Sequence, residues 1–204
     1  MQIDSNLLLL LIAALYILVF GGLSILRREG LSAQFALEAL GLTGVLVGGT
    51  RLLGIPLSPL VLLLLLYVVT MRSRLLVDLG NSFAQRSKYA AAFRTYDLSL
   101  ASWPDMASRL IILSNRGAAE LRNGQTDRAI QTLEGVLAQN VRGSLGLRCE
   151  AATRYNLGLA YEQSGLVAKA AEQYNETADL LPGSPFARAA TAAMERRRKD
   201  QPRD

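Results

Sequence analysis

The chain has 204 residues, half of them apolar, with 22 basic and 17 acidic side chains, a single cysteine and no histidine. The missing histidine excludes Ser-His-Asp and Cys-His catalysis and any histidine-ligated metal, and the lone cysteine excludes an intrachain disulfide or a multi-thiolate site while permitting a reducing compartment. The net charge of +5 would suit an anionic partner, but the arginines are dispersed among acids and only Arg196 to Lys199 form a run, which reads as a solvated end or a contact for anionic headgroups rather than a nucleic-acid arm.

Charge is unevenly spread. Residues 1–71 hold only six of the 39 charged side chains: Asp4, Arg27, Arg28, Glu29, Glu38 and Arg51. The composition therefore changes near residues 71–73, from an apolar part to one with the balance of a soluble helical domain. The stretch about 7–26 has no charge and is long enough, at about 1.5 Å per residue, to cross a hydrocarbon core of roughly 30 Å. No basic residue precedes it and no small-residue cleavage pattern follows, so a spanning helix is preferred to a signal peptide. A second apolar segment, about 35–51, is shorter and glycine-rich. The third, about 57–71, opens at Pro56 and Pro59, which suit a turn or a first helical turn, so the two together predict a helical hairpin. Gly44 and Gly48 have the spacing at which membrane helices approach closely, with packing against the first helix the plainer reading. Arg27 and Arg28 follow the first segment, Arg51 the second, and Arg72, Arg74, Arg86 and Lys88 the third. Three spans with the N-terminus outside and the remaining chain on the cytoplasmic side satisfy this distribution.

Beyond the apolar part the sequence repeats. Gly80, Gly117 and Gly158 each precede an alanine (Ala92, Ala129, Ala170), and a large side chain (Tyr96, Leu133, Tyr174) follows four positions later. The third copy is fullest, with Leu157, Gly158, Tyr161, Gly165, Ala170, Tyr174 and Pro182, and Arg154 where a tryptophan is usual. The first has Leu76, Leu79, Gly80, Phe83, Ala92, Tyr96 and Pro104. The second departs at Arg116 and Glu120, positions usually apolar, and lacks a closing proline. This pattern resembles the tetratricopeptide repeat, a helix-turn-helix unit of about 34 residues. The copies cover about 73–106, 110–143 and 151–184, with an insert around "QNVRGSLGLRCE" before the third. Gly124 and Gly165 close the turns between paired helices. Residues 185–204 read as a capping helix and basic tail: Ser184 can cap it, Pro185 fits its first turn, and Phe186, Ala190 and Ala193 or Met194 form its apolar stripe. The fold class expected is all-α: three transmembrane helices in residues 1–71, then a three-repeat α-solenoid with a C-terminal cap.

The resemblance implies a concave groove lined by the first helix of each repeat. In the first copy it would include Asn81, Ala84 and Gln85. In the second it would include Ala118, Leu121 and Arg122, and in the third Tyr155, Leu159, Glu162 and Gln163. Asn115 and Asn156 flank these, and both asparagines are equally accounted for as ordinary repeat residues. Family members that clamp the terminal carboxylate of heat-shock chaperones use two asparagines and three cations. Asn81 and Asn115 match the asparagines, but the cation positions hold Val77, Ala152 and Asn156, so that ligand is not expected. The implied function is a non-enzymatic scaffold or assembly factor without cofactor or metal, binding a membrane-associated protein partner and lipid but not nucleic acid. In architecture the chain resembles small anchored repeat proteins that assist assembly of membrane complexes, including those of cyanobacteria and plastids that help build photosystem I. The alternative is an accessory subunit of a transporter or secretion complex, with Glu38 and Arg51 acting within the membrane.

Overall fold

Helix-forming, apolar-periodic sequence without strand signals yields helices throughout. The computed structural model describes residues 5–26, 33–54, 56–140 and 143–200, and among these there are ten helices and no strand. They are α1 (Ser5–Leu26), α2 (Ala33–Leu53), α3 (Pro59–Thr70), α4 (Arg72–Gln85), α5 (Tyr89–Ala101), α6 (Met106–Arg122), α7 (Thr126–Gln139), α8 (Leu147–Gln163), α9 (Val167–Leu180) and α10 (Pro185–Asp200). The helices fall into two units, divided between Leu75 and Leu76.

In the first unit, Leu9, Ala13 and Tyr16 of α1 meet Ala39 and Val47 of α2 and Leu62 and Leu66 of α3. Few polar groups enter this interior, and those that do are paired. The Tyr16 hydroxyl and Thr70 Oγ1 lie 2.7 Å apart, Thr50 Oγ1 donates to Asn6 Oδ1 at 3.2 Å, and Thr43 Oγ1 returns to the Ala39 carbonyl at 2.7 Å. Glu38 accepts a two-point bond from Arg72, with Nη2 to Oε1 at 2.8 Å and Nη1 to Oε2 at 2.5 Å, and a third from Gln34 Nε2 at 2.9 Å. This bidentate geometry pins the first turns of α2 to Arg72, the first residue of α4. The outward face is as apolar as the interior: Leu10, Leu18, Leu40, Val45, Leu60 and Leu64 are all exposed.

Of the three expected spans, α2 is long and apolar enough to cross a membrane by itself, although it had the weaker sequence signal. In α1 the apolar stretch with described side chains, Asn6–Gly22, is slightly shorter than that measure. Helix α3 has 12 residues, a length of about 18 Å. It begins at Pro59, in the expected first turn, and stops at Met71, whose N–H donates to the Tyr67 carbonyl at 2.9 Å. Among the described residues no close approach is made at Gly44 or Gly48: a Cβ at either would meet nothing within 4 Å. The first loop, with Arg27, Arg28 and Glu29, and the tail after Asp200 lie outside the described residues.

In the second unit the repeat spacing becomes geometry. A Cβ on Gly80 would stand 2.6 Å from the Tyr96 ring, one on Gly158 2.6 Å from the Tyr174 ring, and one on Gly117 2.7 Å from Leu133. Each glycine therefore lets the first helix of a pair rest against the large side chain sixteen residues on, which is fully buried in every copy, as are Ala92, Ala129 and Ala170. The turns within the pairs are superposable in hydrogen bonding. Lys88, Gln125 and Leu166 N–H donate to the carbonyls of Phe83, Glu120 and Tyr161, each at 2.9 Å, and Ser87, Gly124 and Gly165 N–H to those of Ala84, Leu121 and Glu162, each at 3.0 Å. This pair of bonds is the Schellman closure, and it requires a left-handed residue. Gly124 (φ +75°) and Gly165 (φ +74°) supply it as expected, and Ser87 (φ +56°) does so in the first pair.

The insert before α8 is packed: Leu145 is fully buried beside Leu110 and Val136, and Asn140 Oδ1 accepts the Leu145 N–H at 2.9 Å. At the C-terminal end Ser184 Oγ caps α10 by accepting the Ala187 N–H at 3.0 Å. Ala187, Ala190 and Ala193 are buried, with Met194 packed alongside.

Candidate functional site

The implied groove residues lie on α4, α6 and α8, the first helices of the three pairs. On α4, Asn81 Oδ1 accepts the Tyr96 hydroxyl at 2.7 Å, Ala84 is buried, and Gln85 is exposed. On α6, Asn115 Nδ2 donates to the Ile111 carbonyl of its own helix at 2.8 Å. Ala118 is half-buried, Leu121 is buried beside Ala129 and Ala160, and the Arg122 side chain is exposed. On α8, the Tyr155 ring lies 6.0 Å from that of Tyr174 and 6.3 Å from that of Phe186, while Leu159 packs into the core and Asn156 is half-buried. Glu162 accepts the Tyr174 hydroxyl at 2.6 Å, and Gln163, exposed, accepts Thr126 Oγ1 at 3.2 Å. Gln85, Arg122 and Gln163 are thus exposed, whereas Asn81, Asn115 and Glu162 are half-buried and hydrogen-bonded within the unit.

Tyrosines organise these engagements. Tyr96, Tyr161 and Tyr174 donate to Asn81, Glu134 and Glu162 respectively. Burial pushes the Tyr96 phenol up to about 12. It also raises those of Tyr161 and Tyr174, and the adjoining Glu134 and Glu162 carboxylates raise them further by accepting the bond and by charge. A buried phenol that must donate to an acceptor fixes both the ring and the carboxylate it meets.

The two apolar positions that the second copy lacks are filled by an ion-pair network that sequence spacing did not reveal. Arg116 Nε donates to Glu120 Oε1 at 3.1 Å, Arg116 Nη1 meets Asp97 of α5, and Glu120 Oε2 accepts Thr132 Oγ1 of α7 at 2.8 Å. The guanidinium carbon also lies 5.9 Å from the Phe93 ring centre. Glu120 stands where Phe83 and Tyr161 stand in the other copies, so a network joining α5, α6 and α7 replaces an aromatic wedge there. The i,i+4 opposite charges were the available signal. Likewise Arg154, at the usual tryptophan position, pairs with Glu150 at 2.9 Å and reaches Gln173 at 3.4 Å.

Residues 108–182, from within α6 to just past α9, match the family model described as tetratricopeptide repeat. No curated protein and no solved structure matches the chain.

Proposed function

We infer, from the match of residues 108–182 to the tetratricopeptide repeat model, that this chain is a membrane-anchored scaffold. It holds a segment of another protein beside the membrane in the assembly or stabilisation of a membrane protein complex. The repeat is a non-catalytic protein-interaction module, and no enzymatic step is assigned to it. The observation that carries the reading is continuity. The apolar unit, with leucines on its exterior, directly precedes the repeats along the chain. A helical unit exposing leucine on all sides is unfavourable in water and neutral in lipid, where helices associate by packing and a few polar bonds. The first copy lies outside the matched residues, and its Gly80–Tyr96 contact and Ser87 turn support counting it as a third repeat.

In this reading the N-terminus faces outward, the repeats lie on the cytoplasmic side, and the partner segment contacts Gln85, Arg122, Tyr155, Asn156 and Gln163. Glu38 serves structure: its pairing with Arg72 and Gln34 accounts for a carboxylate on α2, which weakens the case for a transport role. A photo-crosslinking side chain at Arg122 or Asn156, in native membranes, should give one discrete adduct. The same group at Arg128 or Glu176, exposed on second helices, should give none. Equal labelling from both sets, or none from either, would contradict the groove.

A further inference from the structure

Each first helix carries a long polar side chain five residues after its repeat glycine: Gln85 after Gly80, Arg122 after Gly117 and Gln163 after Gly158. Arg197 of α10 follows Gln163 by the repeat's own interval of about 34 residues, so the capping helix extends the series. The helices that bear its last three members are neighbours in turn. Ser114 Oγ of α6 and Thr153 Oγ1 of α8 lie 2.7 Å apart, and the rings of Tyr155 on α8 and Phe186 on α10 are 6.3 Å apart.

Both arginines stand near a tyrosine of the helix before them. Burial raises the Tyr96 phenol, and the charge of Arg122 works against it. Burial and Glu162 raise the Tyr174 phenol, and the charge of Arg197 works against them. Those hydroxyls bond Asn81 and Glu162, two of the implied groove residues, so Arg197 belongs to the same side as Arg122. Other arginines of this unit are matched to acids, Arg116 to Asp97 and Glu120 and Arg154 to Glu150. Among the described residues neither Arg122 nor Arg197 forms an ion pair: the first is exposed, and the second donates to the Val167 carbonyl at 3.2 Å. Glu162, the acid among the implied groove residues, is taken by the Tyr174 hydroxyl.

We propose that the groove holds an extended acidic segment of the partner, with one carboxylate against Arg122 and a second against Arg197. The inference rests on the scaffold reading and names the chemistry of the segment held there. From α6 through α8 to α10 there are two interhelical spacings, roughly 16–20 Å, which an extended chain crosses in about five or six residues. Carboxylates that far apart are side chains of an internal stretch, which distinguishes this ligand from the terminal carboxylate that Val77, Ala152 and Asn156 disfavour. Between the two cations the exposed Gln163 offers its amide to the main chain of the segment. An extended chain can follow a groove lined by Tyr155 and Leu159 from one cation to the next, whereas a flat layer of headgroups cannot.

The experiment uses the full chain in phosphatidylcholine nanodiscs. The probe is a fluorescein-labelled peptide of alternating alanine, serine and valine that carries two glutamates about six residues apart. Anisotropy should show it binding at least about tenfold more tightly than the same peptide with glutamines, and Arg122→Gln or Arg197→Gln should each weaken it about tenfold. Charge reversal supplies a check that a misfolded variant would fail. Arg122→Glu should recover binding to one of the two peptides in which a single glutamate becomes lysine, and Arg197→Glu to the other. Equal affinity for the glutamate and glutamine peptides would overturn the acidic ligand, and a discrete native adduct from a photo-crosslinker at Arg122 would then leave the groove standing. Equal labelling from Arg128 and Glu176 would overturn the groove and the proposal with it. Substitutions that leave peptide binding unchanged but abolish co-sedimentation with phosphatidylglycerol vesicles would assign the arginines to headgroups and overturn the proposal.

Discussion

Glycine marks the contrast between the two units. In α2 a side chain added at Gly44 or Gly48 would meet nothing within 4 Å, whereas at Gly80, Gly117 and Gly158 it would collide at 2.6–2.7 Å with a buried ring or leucine. The exteriors differ as well: leucines cover the first unit, while the second buries its wedges Tyr96, Leu133 and Tyr174 completely. Water forces the repeats to specify contacts closely, because burial is their main source of stability and a misplaced ring cannot be repaid elsewhere. In the anchored reading proposed above, a unit that is apolar on both sides gains little from burial and depends on the few polar links, such as Glu38 with Arg72 and Tyr16 with Thr70.

Truncating a wedge should widen that contrast most. Tyr174→Ala removes a fully buried ring and the donor to Glu162, and denaturant unfolding in mild detergent should show a loss of about 3–5 kcal/mol. The outward-facing Leu64→Ala should stay within about 0.5 kcal/mol of the parent in the same assay. Next comes the pair of glycine substitutions. Gly158→Ala must displace the Tyr174 ring and should cost about 1–3 kcal/mol. Gly44→Ala meets no neighbour and should be neutral or stabilise by up to about 1 kcal/mol, through helix propensity alone. An equal cost at both positions would erase the distinction. Ser87→Gly should stabilise the first pair by about 1 kcal/mol, because serine there occupies the left-handed region that glycine holds in the other two turns; thermal unfolding is the readout.

The effect of pH is the smallest near neutrality. An unfolded phenol ionises near pH 10, and in the fold Tyr96 ionises at about 12, with Tyr161 and Tyr174 also raised. The fold therefore holds these protons more tightly. The stability they contribute is fully present below about pH 10 and is lost as pH climbs from there through the folded values. Tyrosinate absorbance and loss of helical signal should rise together above about pH 10, and phenols that titrate near 10 with helicity intact would refute the assignment.

The repeat was legible because its residue types are imposed by backbone contact: only glycine admits a ring at 2.6 Å, so the interval from Gly158 to Tyr174 is written in the sequence. Gly124 and Gly165 announced their turns in the same way, whereas Ser87 did not, since serine carries no left-handed signature. The network of Asp97, Arg116, Glu120 and Thr132 was hidden because it joins three helices, and i,i+4 spacing reveals only one of its links. The implied groove was legible as positions but not as states. Asn81 and Asn115 are occupied by Tyr96 and the Ile111 carbonyl, bonds that depend on rotamers and register. In the apolar unit the expected segments about 7–26, 35–51 and 57–71 overlap α1, α2 and α3, but hydropathy gave no sign that Arg72 would turn back onto Glu38.

Alkaline carbonate extraction of native membranes containing the full chain tests the central claim most directly. An anchored scaffold should remain entirely in the membrane pellet, and removal of residues 1–70 should move the remaining repeats to the supernatant. Release of the full chain by carbonate would mean that the leucine-covered helices are not seated in lipid, and would contradict the account.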